Sequence, residues 1–391
     1  MIRSYKYRLY PNKEQAKKLE KTLEICRHVY NTALQERIWY YKETKKMLSY
    51  YDQDGEMREC RNQDEELLQV NVHVLRNVLH RVDYAYQNFF RKLKNPKIKK
   101  KGFPRFKSKD RYRSFICPIN KGNVDVLRNN DKHIKLKIPS IGSIKMRYSR
   151  LIPEESKIKN YIVIRKNNKW YACFTLELSD VKQKEKFENS IALDLGLENY
   201  ATLNTGKVIE NQRYYQKSQE RLKIESQKLS KKKDRITNNY KKQKQVVTNI
   251  YEKISNQRQD NLHKLSRKLV NKYDLIVVED LEIQNMLENN KYPWLNKSIA
   301  DASWATFVSM LTYKAEEAGN LVVKVDPRGT SQICSSCGNL VPKDLWTRIH
   351  KCPYCGLEIP RDVNSAIEVL NRGLSASQLA LSRTLSSLGD D

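Results

Sequence analysis

An α/β multidomain chain is the fold class these 391 residues predict. It should hold a helical lobe, a small β-barrel and a larger α/β domain with a metal-binding insertion. Three observations carry this. Apolar helical stripes give way near residue 95 to short alternating strands. Two buried-strand runs, Ser190 to Leu195 and Asp274 to Glu279, each deliver a carboxylate near their end. Two Cys-x-x-Cys pairs follow, with fourteen residues between them.

The elements follow in order. Tyr5, Tyr7 and Leu9 alternate with Lys6 and Arg8, the pattern of a half-buried strand over residues 1–10, the first strand of the barrel, with Lys6 and Arg8 as candidates for nucleic-acid contact. Pro11 ends it. Asn12, with Gln15 three residues on, is a helix start. Ala16, Leu19, Leu23, Cys26, Tyr30 and Ala33 form one helical face. A second stripe, Leu68, Val72, Leu75, Leu79, Val82, Tyr86 and Phe89, predicts a helix over about 64–93, so residues 11–95 form the helical lobe. The barrel spans 96–182. It opens on a cationic stretch interleaved with aromatics, in which Lys99, Lys100, Lys101, Arg105, Lys107, Lys109, Arg111 and Arg113 can meet phosphates while Phe and Tyr stack on bases. The bland alternative is a flexible basic linker. Alternating runs near 133–138, 143–148, 161–165 and 170–176 supply the strands, with Lys166-Asn-Asn-Lys169 as a hairpin turn.

Residues 183–330 read as a nuclease-type α/β domain. Asp194 closes an apolar run just before Gly196, whose missing side chain would let a bulky ligand reach the backbone. A hairpin runs through Val208. Residues 213–272 form a long polar helical region with 18 Lys or Arg against 5 Asp or Glu. Among them Lys231, Lys232, Lys233, Arg258 and Lys264 are candidates to lie along a nucleic acid. Glu279 ends the next strand. A helix over about 297–317 and a strand over 321–325 follow. Asp362 stands where a last helix is expected to begin. Strand with acid, hairpin, helix, strand with acid, helix, strand, helix with acid is the order of an RNase H-like nuclease. Each acid alone is compatible with a mere strand end or helix start. Together they would repel unless cations neutralised them, and two divalent ions on such a cluster can hydrolyse a phosphodiester.

Cys334, Cys337, Cys352 and Cys355 at 331–358 have the spacing of a closed, structural zinc site, with Gly338 and Gly356 freeing the backbone after each pair. Residues 359–373 complete the domain. The tail, 374–391, is either disordered or a short amphipathic helix. Lys and Arg total 74 against 45 Asp and Glu, a formal charge of +29 that favours a polyanionic partner. No apolar run is long enough to span a membrane and no signal peptide opens the chain, so an intracellular protein is expected. The other four cysteines are scattered, as reduced thiols would be.

With these motifs in hand, the chain resembles the TnpB proteins of bacterial transposons, relatives of type V CRISPR effectors, over nearly its whole length. The resemblance rests on Tyr5-Lys-Tyr-Arg-Leu-Tyr-Pro11, Gly102-Phe-Pro-Arg-Phe through Phe115, Asn256 through Ser266, Thr330 through Gly338, and Arg361-Asp-Val-Asn-Ser-Ala366. It departs from that family at Pro360, where an acid is common, and at Ser365, where alanine is. The resemblance implies a RuvC-type catalytic triad at Asp194, Glu279 and Asp362 holding Mg²⁺ or Mn²⁺, and Zn²⁺ on the four clustered cysteines. It implies a wedge-like barrel and an RNA-guided DNA endonuclease. The partners would be a guide RNA from the transposon end and double-stranded DNA bearing a short adjacent motif, in the bacterial cytoplasm and associated with the nucleoid. Two alternatives stay open: a guide-directed repressor that does not cut, and a guide-free, structure-specific nuclease. The oligomeric state is open too.

Overall fold

The computed structural model describes the chain apart from residues 97, 99–100, 120–121, 124–126, 128–132, 290–291, 345 and 387–391. It divides into two compact units, Met1–Asp180 and Val181–Asp391.

In the first unit, strand β1 (Ile2–Tyr10) lies inside an antiparallel sheet with β2 (Ser114–Pro118), β3 (His133–Ile138), β4 (Gly142–Arg147), β5 (Lys157–Lys166) and β6 (Lys169–Glu177). The order is β2-β5-β6-β1-β4-β3. β1 pairs with β6 along Ile2 to Leu9 and with β4 near Tyr10, and its Tyr5, Tyr7 and Leu9 are buried. Asn167 and Asn168 both take positive φ, the two-residue turn that matches strand twist. The sheet curls: the Tyr161 hydroxyl of β5 donates to the Lys137 carbonyl of β3 at 3.3 Å, although three strands separate them in the ladder.

Helix α1 (Lys13–Thr44) starts at Asn12, whose Oδ1 accepts from Gln15 N at 2.8 Å while Gln15 Oε1 accepts from Asn12 N. The expected second helix is instead three: α2 (Tyr50–Gln63), α3 (Glu65–Leu68) and α4 (Val72–Lys94). Asp64 caps α3 and Asn71 caps α4, so the pattern breaks between them and Leu68 is exposed. Helix α2 has no strong apolar stripe because it docks by polar contacts. Gln53 receives Arg37 Nε at 2.7 Å, and Asp54 takes Arg76 on both oxygens at 3.0 and 3.2 Å. Leu19, Leu23, Cys26, Leu75, Leu79 and Val82 join Tyr7, Leu9, Phe115 and Phe174 in one hydrophobic core.

The second unit holds a five-stranded sheet of β7 (Ser190–Leu195), β8 (Asn199–Leu203), β9 (Val208–Glu210), β10 (Leu275–Glu279) and β11 (Leu321–Val325). Its order is β11-β10-β7-β8-β9, with the first three parallel and the last two antiparallel. From β9 to β10 the chain passes through α5 (Tyr214–Ser230) and α6 (Asn238–Lys272), joined by a loop at 231–237 and packed through Leu222, Ile250 and Ile254. From β10 to β11 it passes α7 (Ile283–Asn289), α8 (Pro293–Ala302) and α9 (Trp304–Glu317). Ser303, in the left-handed region at φ 55°, divides what the sequence suggested as one helix over 297–317. A ribbon with β12 (Ile349–Lys351) and β13 (Glu358–Pro360) leads into α10 (Arg361–Ser386), so the tail continues a long helix as far as Ser386.

Alternation sorts the central strands into two faces. Ile191, Leu193, Leu195, Ile276 and Val278 share a core with Leu262 and Leu269 of α6 and Phe307 and Leu311 of α9. Ala192, Leu275 and Val277 face the other way, with Val369 of α10. There α10 comes so close at Gly373 that an added Cβ would stand 2.4 Å from the Val277 methyls. No helix among the described residues is long and apolar enough to cross a membrane.

Candidate active site

Strand parity places two of the acids. Asp194 is two residues on from Ala192, and Glu279 two on from Val277, so both point to the face that α10 covers. Register aligns them, since Val278 pairs with Leu193 and each acid is the next residue on its strand. Both therefore sit at the C-terminal edge of parallel strands, where α/β sheets commonly hold ligands. Asp362 is the second residue of α10, the helix laid over that face.

Asp194 feels the other two carboxylates. Burial, then the charges of Glu279 and Asp362, push Asp194 up to about 8, with Arg361 acting against them. Burial also raises Glu279, and the Thr330 hydroxyl and the Arg372 guanidinium oppose that rise. Thr330 Oγ1 donates to Glu279 Oε1 at 2.7 Å, and the same hydroxyl lies 3.0 Å from the Pro327 carbonyl, a longer second acceptor for its one hydrogen. Arg361 sends Nε and Nη2 to the same oxygen of Asp362, Oδ1, at 3.2 and 3.1 Å. Arg372 bonds the Asp326 and Arg328 carbonyls, fixing the chain beyond β11.

Gly196 has a different reason from the one expected. A Cβ there would lie 2.9 Å from the Asn199 carbonyl, so glycine serves the tight turn itself, closed by Gly196 N–H to Tyr200 O.

The four clustered cysteines come together, their sulfurs all within 4.8 Å of one another. Cys334 and Cys355, and Cys337 and Cys352, are 3.6 Å apart. A tetrahedron of Zn–S bonds of about 2.3 Å has edges of about 3.8 Å, so this donor set fits zinc. Each knuckle closes with a glycine N–H returned to the first cysteine's carbonyl, and Gly338 and Gly356 take φ of +74° and +73°. The Asn339 backbone N–H holds the Cys337 thiol down to about 6. Asn364, fully buried, accepts from Ser335 N at 3.0 Å and donates to Ile333 O at 2.7 Å, tying the ribbon to α10 two residues beyond Asp362.

The basic candidates separate. Lys99 and Lys100 lie outside the described residues. Lys6 and Arg8 lie over the Tyr171 ring at 4.2 and 5.1 Å. Lys101 donates to Leu93 O, Lys107 is bracketed by Asn31, and the Arg113 guanidinium turns to Asp110 O. Arg105, Lys109 and Arg111 are exposed. The aromatics of this stretch mostly pack on protein: Phe103 meets Tyr86 and Phe89 edge-on, and Tyr112 and Phe115 are buried. Phe106 stays half exposed. Lys231, Lys232 and Lys233 occupy the loop between α5 and α6. Lys264 pairs with Asp260 at 2.7 Å on an exposed face. Arg258 is braced into the fold, bonding Ala300 O and Asp301 Oδ1.

Thr330, Arg361, Arg372 and Asn364, which contact the acids, the ribbon or the chain beside them, were not singled out from the sequence. Thr330, Arg361 and Asn364 fall inside the motifs quoted above, but their partners lie up to 51 residues away or on a neighbouring element.

A mixed α/β chain with a carboxylate cluster at a sheet edge and a four-cysteine ribbon is the class that this geometry defines. Comparison with known proteins gives the family. Residues 173–290 match a family model described as "Probable transposase" (OrfB_IS605), and residues 304–369 a "Cas12f1-like, TNB domain". Residues 1–46 match a "Helix-turn-helix domain", although here they fold as β1 and the single helix α1. The chain is 30% identical over 382 residues, 96% of itself and 90% of the relative, to a Streptomyces pristinaespiralis protein named "Putative RNA-guided DNA endonuclease". It is 28% identical to "Putative RNA-guided DNA endonuclease InsQ" of Escherichia coli, covering 95% and 92% of the two chains. Its fold is similar to that of the Cas12f1 chain in a complex with sgRNA and target DNA, at TM-score 0.60 and 16% identity, over 92% of this chain and 83% of that one. The chain belongs to the transposon-encoded TnpB family.

Proposed function

We propose that the protein is an RNA-guided DNA endonuclease that cuts beside a short adjacent motif at an RNase H-like, RuvC-type site. The observation that carries this reading is the convergence of Glu279 and Asp362 on the buried Asp194 at one edge of the sheet. Asp194, buried, is raised further by the charges of Glu279 and Asp362, acids drawn from distant segments, an arrangement that costs stability unless cations occupy it. The mixed sheet order β11-β10-β7-β8-β9 and the names of the relatives support the same assignment.

Carboxylate oxygens are hard donors, suited to Mg²⁺ or Mn²⁺. Two such ions between these acids would activate a water and stabilise the leaving oxygen of a phosphodiester. The chain's own residues prepare the site. Thr330 orients Glu279 through Oε1, and Arg361 fixes Asp362 through Oδ1. Burial under α10 limits water around Glu279, which is 8% exposed. The four-cysteine ribbon would hold zinc structurally, and it ties to the start of α10 through Asn364. The curled sheet and helices of Met1–Asp180 would act as the wedge-like barrel and recognition lobe, with guide pairing supplying sequence specificity.

The test is a plasmid library with a randomised flank, incubated with protein copurified with its RNA and Mg²⁺. Guide-dependent cleavage beside one enriched flank is expected, and Asp194→Ala, Glu279→Ala or Asp362→Ala should each abolish it while binding persists. Wild-type binding without cutting would establish the repressor instead, and cutting of branched DNA without RNA the guide-free nuclease.

A further inference from the structure

We propose that a cavity beside the turn after Asp194 receives one unstacked base of the strand being cut, with Trp294 as its stacking platform. The inference rests on the nuclease reading above and names how that site would hold its substrate. The cavity has a volume of about 470 Å³ and is walled by the β7–β8 turn, the start of α5 and helix α8. Leu197, Arg213, Gln216, Gln219, Trp294 and Lys297 line it.

Its walls are braced from within the protein. Asn211 Nδ2 donates to Leu197 O at 2.8 Å, holding the turn. Asp301 accepts Tyr215 N on one oxygen and Arg258 on the other, at 3.0 and 3.1 Å, locking α5, α6 and α8 together. Of the two acids that line the cavity, Asp301 is neutralised by Arg258 and the exposed Glu198 pairs with Arg348 at 2.8 Å, which leaves Arg213 and Lys297 as cations on the rim.

That rim carries what a nucleotide needs. The Trp294 indole is 65% exposed, and the Tyr292 ring stands 6.2 Å from it at 43°. A base offers a π-face to such a ring whatever its sequence. Gln216 and Gln219 present amides, able both to donate to and accept from a base edge. Arg213 and Lys297 are exposed cations suited to the flanking phosphates. An apolar protein segment would match the indole but leave these cations and amides without partners.

Helix α8 packs on the α6–α9 face while the acids point to the α10 face, so a nucleic-acid strand reaching both must round the C-terminal edge of β7. Leu197 is three residues from Asp194, so their Cα atoms are at most about 11 Å apart. That is about three nucleotide steps of a stacked strand. A base must leave its stack to reach the indole, so the occupant is single-stranded. Gripping it there would fix the register of the backbone over the carboxylates.

The experiment uses the full-length chain with its copurified RNA and a matched target. 2-Aminopurine is placed at successive positions of the cut strand, in an Asp194→Ala background. Fluorescence should be quenched at one position, lose that quench in Trp294→Ala, and recover it in Trp294→Phe. In the cleavage-competent chain, Trp294→Ala should slow cutting about tenfold, within the range known for base stacking, and Trp294→Phe should restore most of it. Unchanged zinc content and melting temperature would show that the variant is folded, as the exposure of the indole predicts. Wild-type cutting with no position sensitive to residue 294, or Trp294→Ala cutting at the wild-type rate, overturns the cavity and leaves the nuclease reading standing. If the wild type does not cut, the nuclease reading falls, and the fluorescence arm still decides the cavity.

Discussion

Thr330 donates its hydroxyl to Glu279 Oε1 at 2.7 Å across 51 residues of chain. It is a short bond between a turn and a strand end, and it opposes the burial that raises the Glu279 pKa. Thr330→Val keeps the side-chain shape and removes the donor. Glu279 then rises further, so the alkaline pH needed for full cleavage should move upward. The Mg²⁺ concentration for half-maximal rate should increase, and cutting at neutral pH should fall about tenfold. Losing a bond to a charged group costs about 1.5–3 kcal/mol. A pH–rate profile at several Mg²⁺ concentrations checks this, and an unshifted profile would contradict it.

Asp194 predicts a trade between stability and activity. Its carboxyl, ordinarily 3.8, is raised to about 8 in the fold. A raised carboxyl favours the fold while protonated, so that stability is present below about pH 4 and is lost progressively as pH rises to about 8. Asp194→Asn removes the titration. Without Mg²⁺ and with zinc retained, the variant should melt above the wild type, by a margin that widens from pH 5 to pH 8. Added Mg²⁺ should narrow the gap by stabilising only the wild type. Thermal melts at four pH values test both signs.

These acids show what was legible. Apolar runs ending in carboxylates were enough to choose Asp194 and Glu279, because period-two burial is a local property. The cysteine spacing was equally local. Helix α2 was not readable, since Arg37, Gln53, Asp54 and Arg76 hold it by polar contacts that leave no apolar stripe. The break at Ser303 was missed because a serine in the left-handed region carries no strong signal. Arg258 looked like one more cation in a basic run, and only its pairing with Asp301 marks it as a brace.

That distinction is testable. Replacing Lys231, Lys232 and Lys233 together by Gln should lower the salt dependence of RNA binding by a slope of about two, at about 0.7 per lost phosphate contact. It should leave the melting temperature almost unchanged. Arg258→Ala should do the reverse, lowering the melting temperature while the salt slope stays near the wild-type value. Filter binding at five salt concentrations, with parallel melts, separates them.

The ribbon gives a fourth expectation. Purified protein should carry about one zinc per chain. Cys352→Ser should lower the zinc content and the stability of the C-terminal unit. It should slow cleavage as well, because the ribbon is bonded through Asn364 to the first turn of the helix that bears Asp362. Metal analysis and single-turnover cutting on one preparation provide the check. A zinc-free variant that cuts at the wild-type rate would refute the coupling.

The two-faced alternation of β7 and β10 constrains how such a chain can change length. Deleting one residue inside β7 would swing Asp194 from the α10 side of the sheet to the side packed on α6 and α9, exchanging a carboxylate for an alkyl group in both places. No second substitution nearby could restore it. Adding residues to the loop at 231–237, by contrast, lengthens the α5–α6 hairpin and leaves the strand register untouched. Growth of this architecture into a larger protein is therefore channelled to its hairpin tips. The strands that bear the acids must keep their length to the residue.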